Sequence, residues 1–246
     1  MYSTADVNVD VFTSKITEGV SDGSDHDFRG IYASLKMIPN NLLDLYVLHN
    51  NNLTGTAPQN LYTLGARLKG SIAGLDYIAE LPYQSGENTD TVDRQGWAFT
   101  ADLGYNVPSA PLRIGAGVDF ATGDDSGTAD ENEAFNPLYA TTHGVLGFGD
   151  VAVANTWSDI FAWNVNATYK ITDKTSLYAA YWNYKEDEVA TSADDDIGSE
   201  IDLSLNYKYS GNISVLLQAA RFSPGDAVTT GDDPQDWAAI QLTANF

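Results

Sequence analysis

Apolar and polar residues alternate one by one through most of this chain. From Ile201 to Tyr209 the odd positions are Ile, Leu, Leu, Tyr and Tyr, while Glu200, Asp202, Ser204, Asn206 and Lys208 take the even ones. A period of two belongs to a β-strand with one apolar face. The same pattern sets Val7, Val9 and Val11 against Asp6, Asn8 and Asp10, and Trp97, Phe99, Leu103 and Tyr105 against Thr100, Asp102 and Gly104. It sets Leu112, Ile114, Ala116, Val118 and Phe120 against Arg113, Gly115, Gly117 and Asp119. Twelve such segments are expected, near residues 5–16, 28–38, 42–49, 60–69, 75–84, 95–106, 110–121, 158–171, 174–185, 199–209, 212–222 and 236–246. Each has about the ten residues that a tilted strand needs to cross a bilayer. No stretch reaches the roughly 18 consecutive apolar residues of a membrane-spanning helix. If the chain crosses a membrane, it does so as a closed barrel, because only helices and closed barrels satisfy every backbone polar group in lipid.

The connections alternate in character. Short turns fall at Pro39-Asn40-Asn41, Gly70 to Gly74, Asn106 to Ala110, Ile171 to Lys174 and Ser210-Gly211-Asn212, all rich in turn-forming residues. Between them lie long polar loops at 17–27, 50–59, 85–94, 122–157, 186–198 and 223–235. Short turns at one end and long loops at the other are the habit of outer-membrane barrels. Aromatics add to the picture. Tyr105, Tyr169, Tyr207, Tyr209 and Phe246 sit near the short turns, and Trp97, Phe120, Trp182, Tyr184, Phe222 and Trp237 near the long loops. Two bands of this kind read as interfacial girdles. The expected fold is therefore an all-β, antiparallel, up-and-down transmembrane barrel of about twelve strands. Residues 1–246 form one domain, with both termini at the periplasmic end and long acidic loops outside.

Charge sharpens this reading. The formal net charge is −22, from 34 acids and 12 bases. Such a surface excludes nucleic acid, whose phosphates need a basic footprint. Nine acids fall on the polar face of the strands: Asp6, Asp10, Asp44, Asp76, Glu80, Asp102, Asp119, Glu200 and Asp202. Six bases share that face: Lys36, Arg67, Lys69, Arg113, Lys170 and Lys208. Mixed charge on one face would be ruinous in a soluble core, but it suits a wet lumen. These residues are the candidate pore lining. Nearly all remaining acids crowd the long loops, with Arg94 almost their only base. In the densest loop Asp124, Asp125, Asp130 and Glu131 offer hard oxygen ligands of the calcium type. Their spacing is not that of an EF-hand, so a solvated or lipopolysaccharide-bridging loop competes with a calcium site.

Catalytic patterns are missing. There is no cysteine, and His26, His49 and His143 are scattered, without HExxH, GxSxG or P-loop spacing. Glu200 and Asp202 share one strand face about 7 Å apart, a spacing that recurs throughout acidic barrels and is a weak sign of glycoside hydrolysis. The first residues, MYSTADVNVD, carry no basic-then-apolar export signal.

A series of segments, VNVDVFTSK, RGIYAS, LDLYVL, YTLGARLKG, LDYIAELPYQSG, RIGAGVDFATGDD, FNPLYATTHGVLGFGD, GSEIDLSLNYKY and ARFSPGDA, runs in order over nearly the whole length. Together they resemble the bacterial alginate export family of outer-membrane barrels. The resemblance implies a porin-like channel in the bacterial outer membrane, with lipid and lipopolysaccharide as surroundings and a small hydrophilic or saccharide solute as cargo. No cofactor other than loop-bound calcium is expected, and a monomer is favoured. An acidic mouth should favour cations or neutral solutes. Three other readings stay open: a barrel plugged by its own side chains and the 122–157 loop, an outer-membrane hydrolase, and a fragment of a larger polysaccharide channel.

Overall fold

The computed structural model describes residues 1–18, 25–36, 38–53, 59–89, 91–139, 145–150, 158–189, 194–228 and 233–245. His143 and Phe246 lie outside them, as do parts of several long loops. The described residues contain no helix. Twelve long strands follow one another: β1 Val7–Thr17, β2 His26–Leu35, β3 Asn41–Asn52, β4 Gln59–Ile72, β5 Leu75–Thr89, β6 Val92–Asn106, β7 Leu112–Ala121, β8 Ile160–Thr172, β9 Thr175–Lys185, β10 Asp196–Lys208, β11 Ile213–Pro224 and β12 Gln235–Ala244. Among the described residues two further strands have two residues each. Tyr2–Ser3 pairs along the free edge of β1, and Glu131–Asn132 pairs in parallel with β6.

Every long strand is antiparallel to its chain neighbour, giving a single sheet in sequence order. The short turns are tight where the chain allows it. Ala73 and Gly74 both have positive φ, 50° and 87°, as a two-residue type I′ hairpin requires.

Pairing register decides which residues share a face. Arg67 stands opposite Asp44 and Glu80, Asp102 opposite Gly117, and Asp202 opposite Ala180 and Ala220. Followed across the sheet, this puts most polar positions of the twelve strands on one side, here called the inner face. The other side is mainly apolar and exposed, with charged residues such as Asp27, Arg29, Arg221 and Asp236 toward the long-loop ends of their strands. Val47, Leu64, Leu81, Leu103, Val165, Ile201, Leu203 and Ile240 all belong to it. A water-soluble protein does not leave so continuous an apolar surface uncovered, whereas a lipid-facing wall must.

The buried core lies on the inner side, toward the long-loop end. There Ile160, Ala162, Ala180, Trp182, Tyr184 and Phe222 from the strands pack with Phe135 and Leu146 from the long loop after β7.

Three expectations need correcting. The first is closure. Among the described residues β12 does not pair with β1, so the sheet is open, an arc of a barrel rather than a ring. Both edge strands are correspondingly exposed along most of their length. The second is the 85–94 loop. Its polar residues instead continue β5 and β6 as a hairpin, with Ser85 opposite Gln95 and Glu87 opposite Asp93. Alternating polar residues form ladder bonds as well as apolar ones do, and Glu131–Asn132 adds a third rung. The third concerns the aromatics. Trp97 and Phe120 meet on the outer face, ring centroids 4.6 Å apart, as a girdle should. Trp182, Tyr184, Phe222 and Trp237 face inward instead, because they share register with Glu200 and Asn164 or with Ala220.

Candidate functional site

The inner face carries three linked features: two ion-pair networks and a loop drawn across them. The first network spans β2 to β5. Asp44 is only 2% exposed. It accepts from Ser34 Oγ at 2.6 Å and from Arg67 Nη1 at 3.1 Å. Arg67 Nε also lies 3.7 Å from Glu80 Oε2, and Tyr46 Oη donates to Glu80 Oε1 at 2.6 Å. The Tyr46 ring stacks on Tyr32, centroids 5.6 Å apart and planes 2° from parallel. It lies across Gly65, where any side chain would overlap it.

The second network spans β5 to β8 nearer the short-turn end. Arg113 donates to Asp76 Oδ1 at 2.9 and 2.6 Å, to Asp102 Oδ1 at 2.5 Å and to Asn166 Oδ1 at 2.9 Å. Asn166 Nδ2 closes the circuit onto Asp102 Oδ2 at 3.1 Å. Gly104 faces the guanidinium and has no side chain to displace it. Each arginine is thus held between two carboxylates, and each cluster keeps a net charge of −1. Charge-assisted pairs of this kind fix the side chains in place.

The loop after β7 supplies the third feature. It turns inward and is fastened on both sides. Gln84 donates to Asn136 O and accepts from Asn136 N, both at 2.7 Å, and Arg94 Nη1 donates to Ala134 O at 2.6 Å. On the other side the amides of Phe148 and Gly149 donate to Glu200 Oε1 at 2.8 and 3.0 Å, and Tyr184 Oη donates to Leu146 O at 3.0 Å. Glu200 and Asp202 are each 1% exposed.

The expected lining residues all lie on this inner face, but in distinct settings. Arg67, Glu80, Asp102 and Arg113 join the two networks. Asp119 and Asp202 are buried toward the long-loop end. Lys36, Lys69, Lys170 and Lys208 lie exposed near the short-turn end. The four lysines are therefore separated along the strand direction from the buried Asp119 and Asp202, while the two arginines are paired with acids. Arg94, expected as a loop base, is instead a half-buried clamp on the inward loop.

The calcium-type residues do not converge. Asp125 Oδ1 caps its own turn at Gly127 N, and Asp124 Oδ1 accepts from Glu133 N. Asp130 meets Asp93 through its carbonyl, and Glu131 sits in the short parallel strand. No group of three or more metal-ligating side chains forms among the described residues. At the mouth, burial and then the neighbouring acids Asp159 and Asp195 push the Glu186 carboxyl above its usual range. Lys185 holds Asp195 below it.

Sequence reasoning missed Tyr32, Tyr46 and Gln84, and it raised an inward loop only in the plugged-barrel alternative. The one available signal was that Asp44, Tyr46 and Leu48 alternate with Leu43, Leu45 and Val47, so β3 has apolar residues on both faces. A strand lining only bulk water has no need of that.

Residues 17–237 match the family described as alginate export. No curated protein sequence matches the chain. Among solved structures, OccK10 (OpdN) of Pseudomonas aeruginosa is 15% identical with a TM-score of 0.64, over 99% of this chain and 69% of its own. OccK11 (OpdR) of the same organism is 14% identical with a TM-score of 0.57, over 89% of this chain and 57% of its own. A BenF-like porin from Pseudomonas fluorescens Pf-5 is 13% identical with a TM-score of 0.51, over 99% of this chain and 76% of its own. At such identities the likeness is one of fold. The chain spans 57, 59 and 56% of the length of OccK11, OccK5 and OccK3 of Pseudomonas aeruginosa.

Proposed function

The chain belongs to the alginate export family of bacterial outer-membrane proteins, and from that premise we propose that its inner face lines a passive channel for small hydrophilic solutes, preferring cations or neutral molecules to anions. The apolar outer wall faces lipid and the long acidic loops face outward, within reach of lipopolysaccharide. The observation that carries the preference is the double pairing of both network arginines. Arg67 between Asp44 and Glu80, and Arg113 between Asp76 and Asp102, have no positive charge left over for an anion. Asp119, Glu200 and Asp202 place three more carboxyl groups on the same face. The exposed lysines at the short-turn end oppose this, but they stand in more water and are screened more strongly.

The test is a reversal potential across a potassium chloride gradient in a planar bilayer. Cation selectivity that weakens with salt supports the reading, and anion selectivity at low salt overturns it. A plugged barrel is favoured by one observation, the fastening of the inward loop to both Gln84 and Glu200. Absence of any conductance would select it. The open sheet edges and the shorter span relative to the porins fit a segment of a wider polysaccharide conduit. Edges cannot stay bare in lipid, and a conductance too large for twelve strands would favour that wider pore.

A further inference from the structure

Below the inward loop lies a cavity of about 450 Å³, within the size range of small-molecule sites. Tyr32 and Tyr46 form one wall, and Phe135, Pro137 and Tyr139 of the loop lie across from them. Among the described residues of its lining, Glu80 is the one that is charged. We infer that this cavity binds a small organic cation, an ammonium group carrying an apolar body. The inference rests on the inner face being a solute-accessible lumen.

Three observations converge on that class. The first is charge. Asp44, Arg67 and Glu80 together carry −1, and Asp44 is buried, so a cation beside Glu80 brings the cluster to neutrality while an anion doubles the deficit. The second is the aromatic wall. Tyr32, Tyr46, Phe135 and Tyr139 all line the cavity, and aromatic rings attract ammonium groups, more strongly so when water is excluded. The third is what is already spent. The Gln84 side chain is bonded to the backbone N–H and C=O of Asn136 and reaches Thr63 Oγ1 at 3.2 Å, and Asn136 Oδ1 accepts from Leu138 N. A sugar needs several free donors and acceptors, and the Gln84 amide has little left to offer. The remaining lining is chiefly Leu48, Pro82, Leu138 and Val145, suited to methyl groups and short alkyl chains.

The experiment is isothermal titration of the full chain, folded in detergent micelles, with choline chloride and tetramethylammonium chloride. Glucose and sodium benzoate serve as neutral and anionic comparisons. Saturable binding of choline is expected, with little heat from glucose or benzoate. Glu80→Gln keeps the shape and the hydrogen bond to Tyr46, and it should weaken choline binding by about tenfold. Tyr46→Leu removes the ring and should weaken it similarly, with unchanged circular dichroism confirming the fold in both. No saturable choline binding, equal binding of glucose or benzoate, or full affinity in Glu80→Gln overturns the inference. Binding at equilibrium needs no through-path. Choline binding in a chain that conducts nothing leaves this inference standing and defeats only the channel reading. Conductance without choline binding does the reverse.

Discussion

Replacing Leu203 with arginine, and separately Ser204, asks whether the two faces have been assigned correctly. Leu203 lies on the outer face of β10 and is 48% exposed. Its cross-strand neighbours are Ala179 and Ala219, neither able to accept a hydrogen bond through its side chain. A strand rises about 3.4 Å per residue, and a tilt of about 40° leaves roughly 2.6 Å of that along the membrane normal. Leu203 is five residues from Lys208, the end of β10. It therefore sits roughly 13 Å in, about the middle of a 25 Å apolar band. A guanidinium there should cost about 2–4 kcal/mol. Ser204 is one residue on, facing inward between Tyr178 and Gln218 and two residues from Asp202. Arginine at that position meets water and a carboxylate, and it should cost less than about 1 kcal/mol. Reversible urea unfolding in lipid vesicles, followed by tryptophan fluorescence, measures both. Equal costs, or a larger cost at Ser204, would refute the face assignment for every strand at once, since a one-residue slip inverts them all.

Three further outcomes are expected. Gln84→Leu removes both hydrogen bonds that hold Asn136, leaving two backbone groups to find partners at a cost of about 1–3 kcal/mol. It should loosen the inward loop and raise single-channel conductance; an unchanged conductance would mean that the loop does not narrow the path. Arg113→Ala leaves Asp76 and Asp102 facing each other without their cation. That should destabilise the chain by about 1–3 kcal/mol, discounted for partial exposure, and make the reversal potential more cation-selective. The third concerns pH. Burial, followed by neighbouring acids, raises both Glu186 and Glu188 above the ordinary carboxylate range. On acidification they take up protons before isolated glutamates would, so cation selectivity should start to fall above that range. A selectivity that stays flat until the ordinary carboxylate range contradicts this, and Glu188→Gln should shrink the early phase.

The strands were legible because their alternation is strict. Ile201 to Tyr209 and Leu112 to Phe120 have one apolar face and one polar face, and register then follows from the turns. What was not legible depended on partners distant in sequence. In β9, Tyr178, Trp182 and Tyr184 alternate with Leu177 and Tyr181, so both faces are aromatic, and only pairing with Asn164 and Glu200 fixes which points inward. The inward positions of residues 122–139 and 145–150 rest on contacts such as Gln84 with Asn136 and Phe148 with Glu200, each 52 residues apart, in a stretch without periodicity. Closure was also beyond a periodic pattern, which counts strands but does not say whether the last meets the first.

The most direct test of the central claim, that the inner face is a wet passage favouring cations, uses single cysteines in a chain that has none of its own. Cysteine at Asn164, on the inner face beside Asn166 of the second network and opposite Trp182, is treated in turn with cationic and anionic membrane-impermeant thiol reagents while current is recorded. The account expects reaction and block by the cationic reagent, with a slower rate for the anionic one that catches up as salt is raised. It expects no block after treatment of cysteine at Val165, the next residue, on the lipid-facing wall. No reaction at Asn164→Cys, or faster reaction with the anionic reagent, would contradict it.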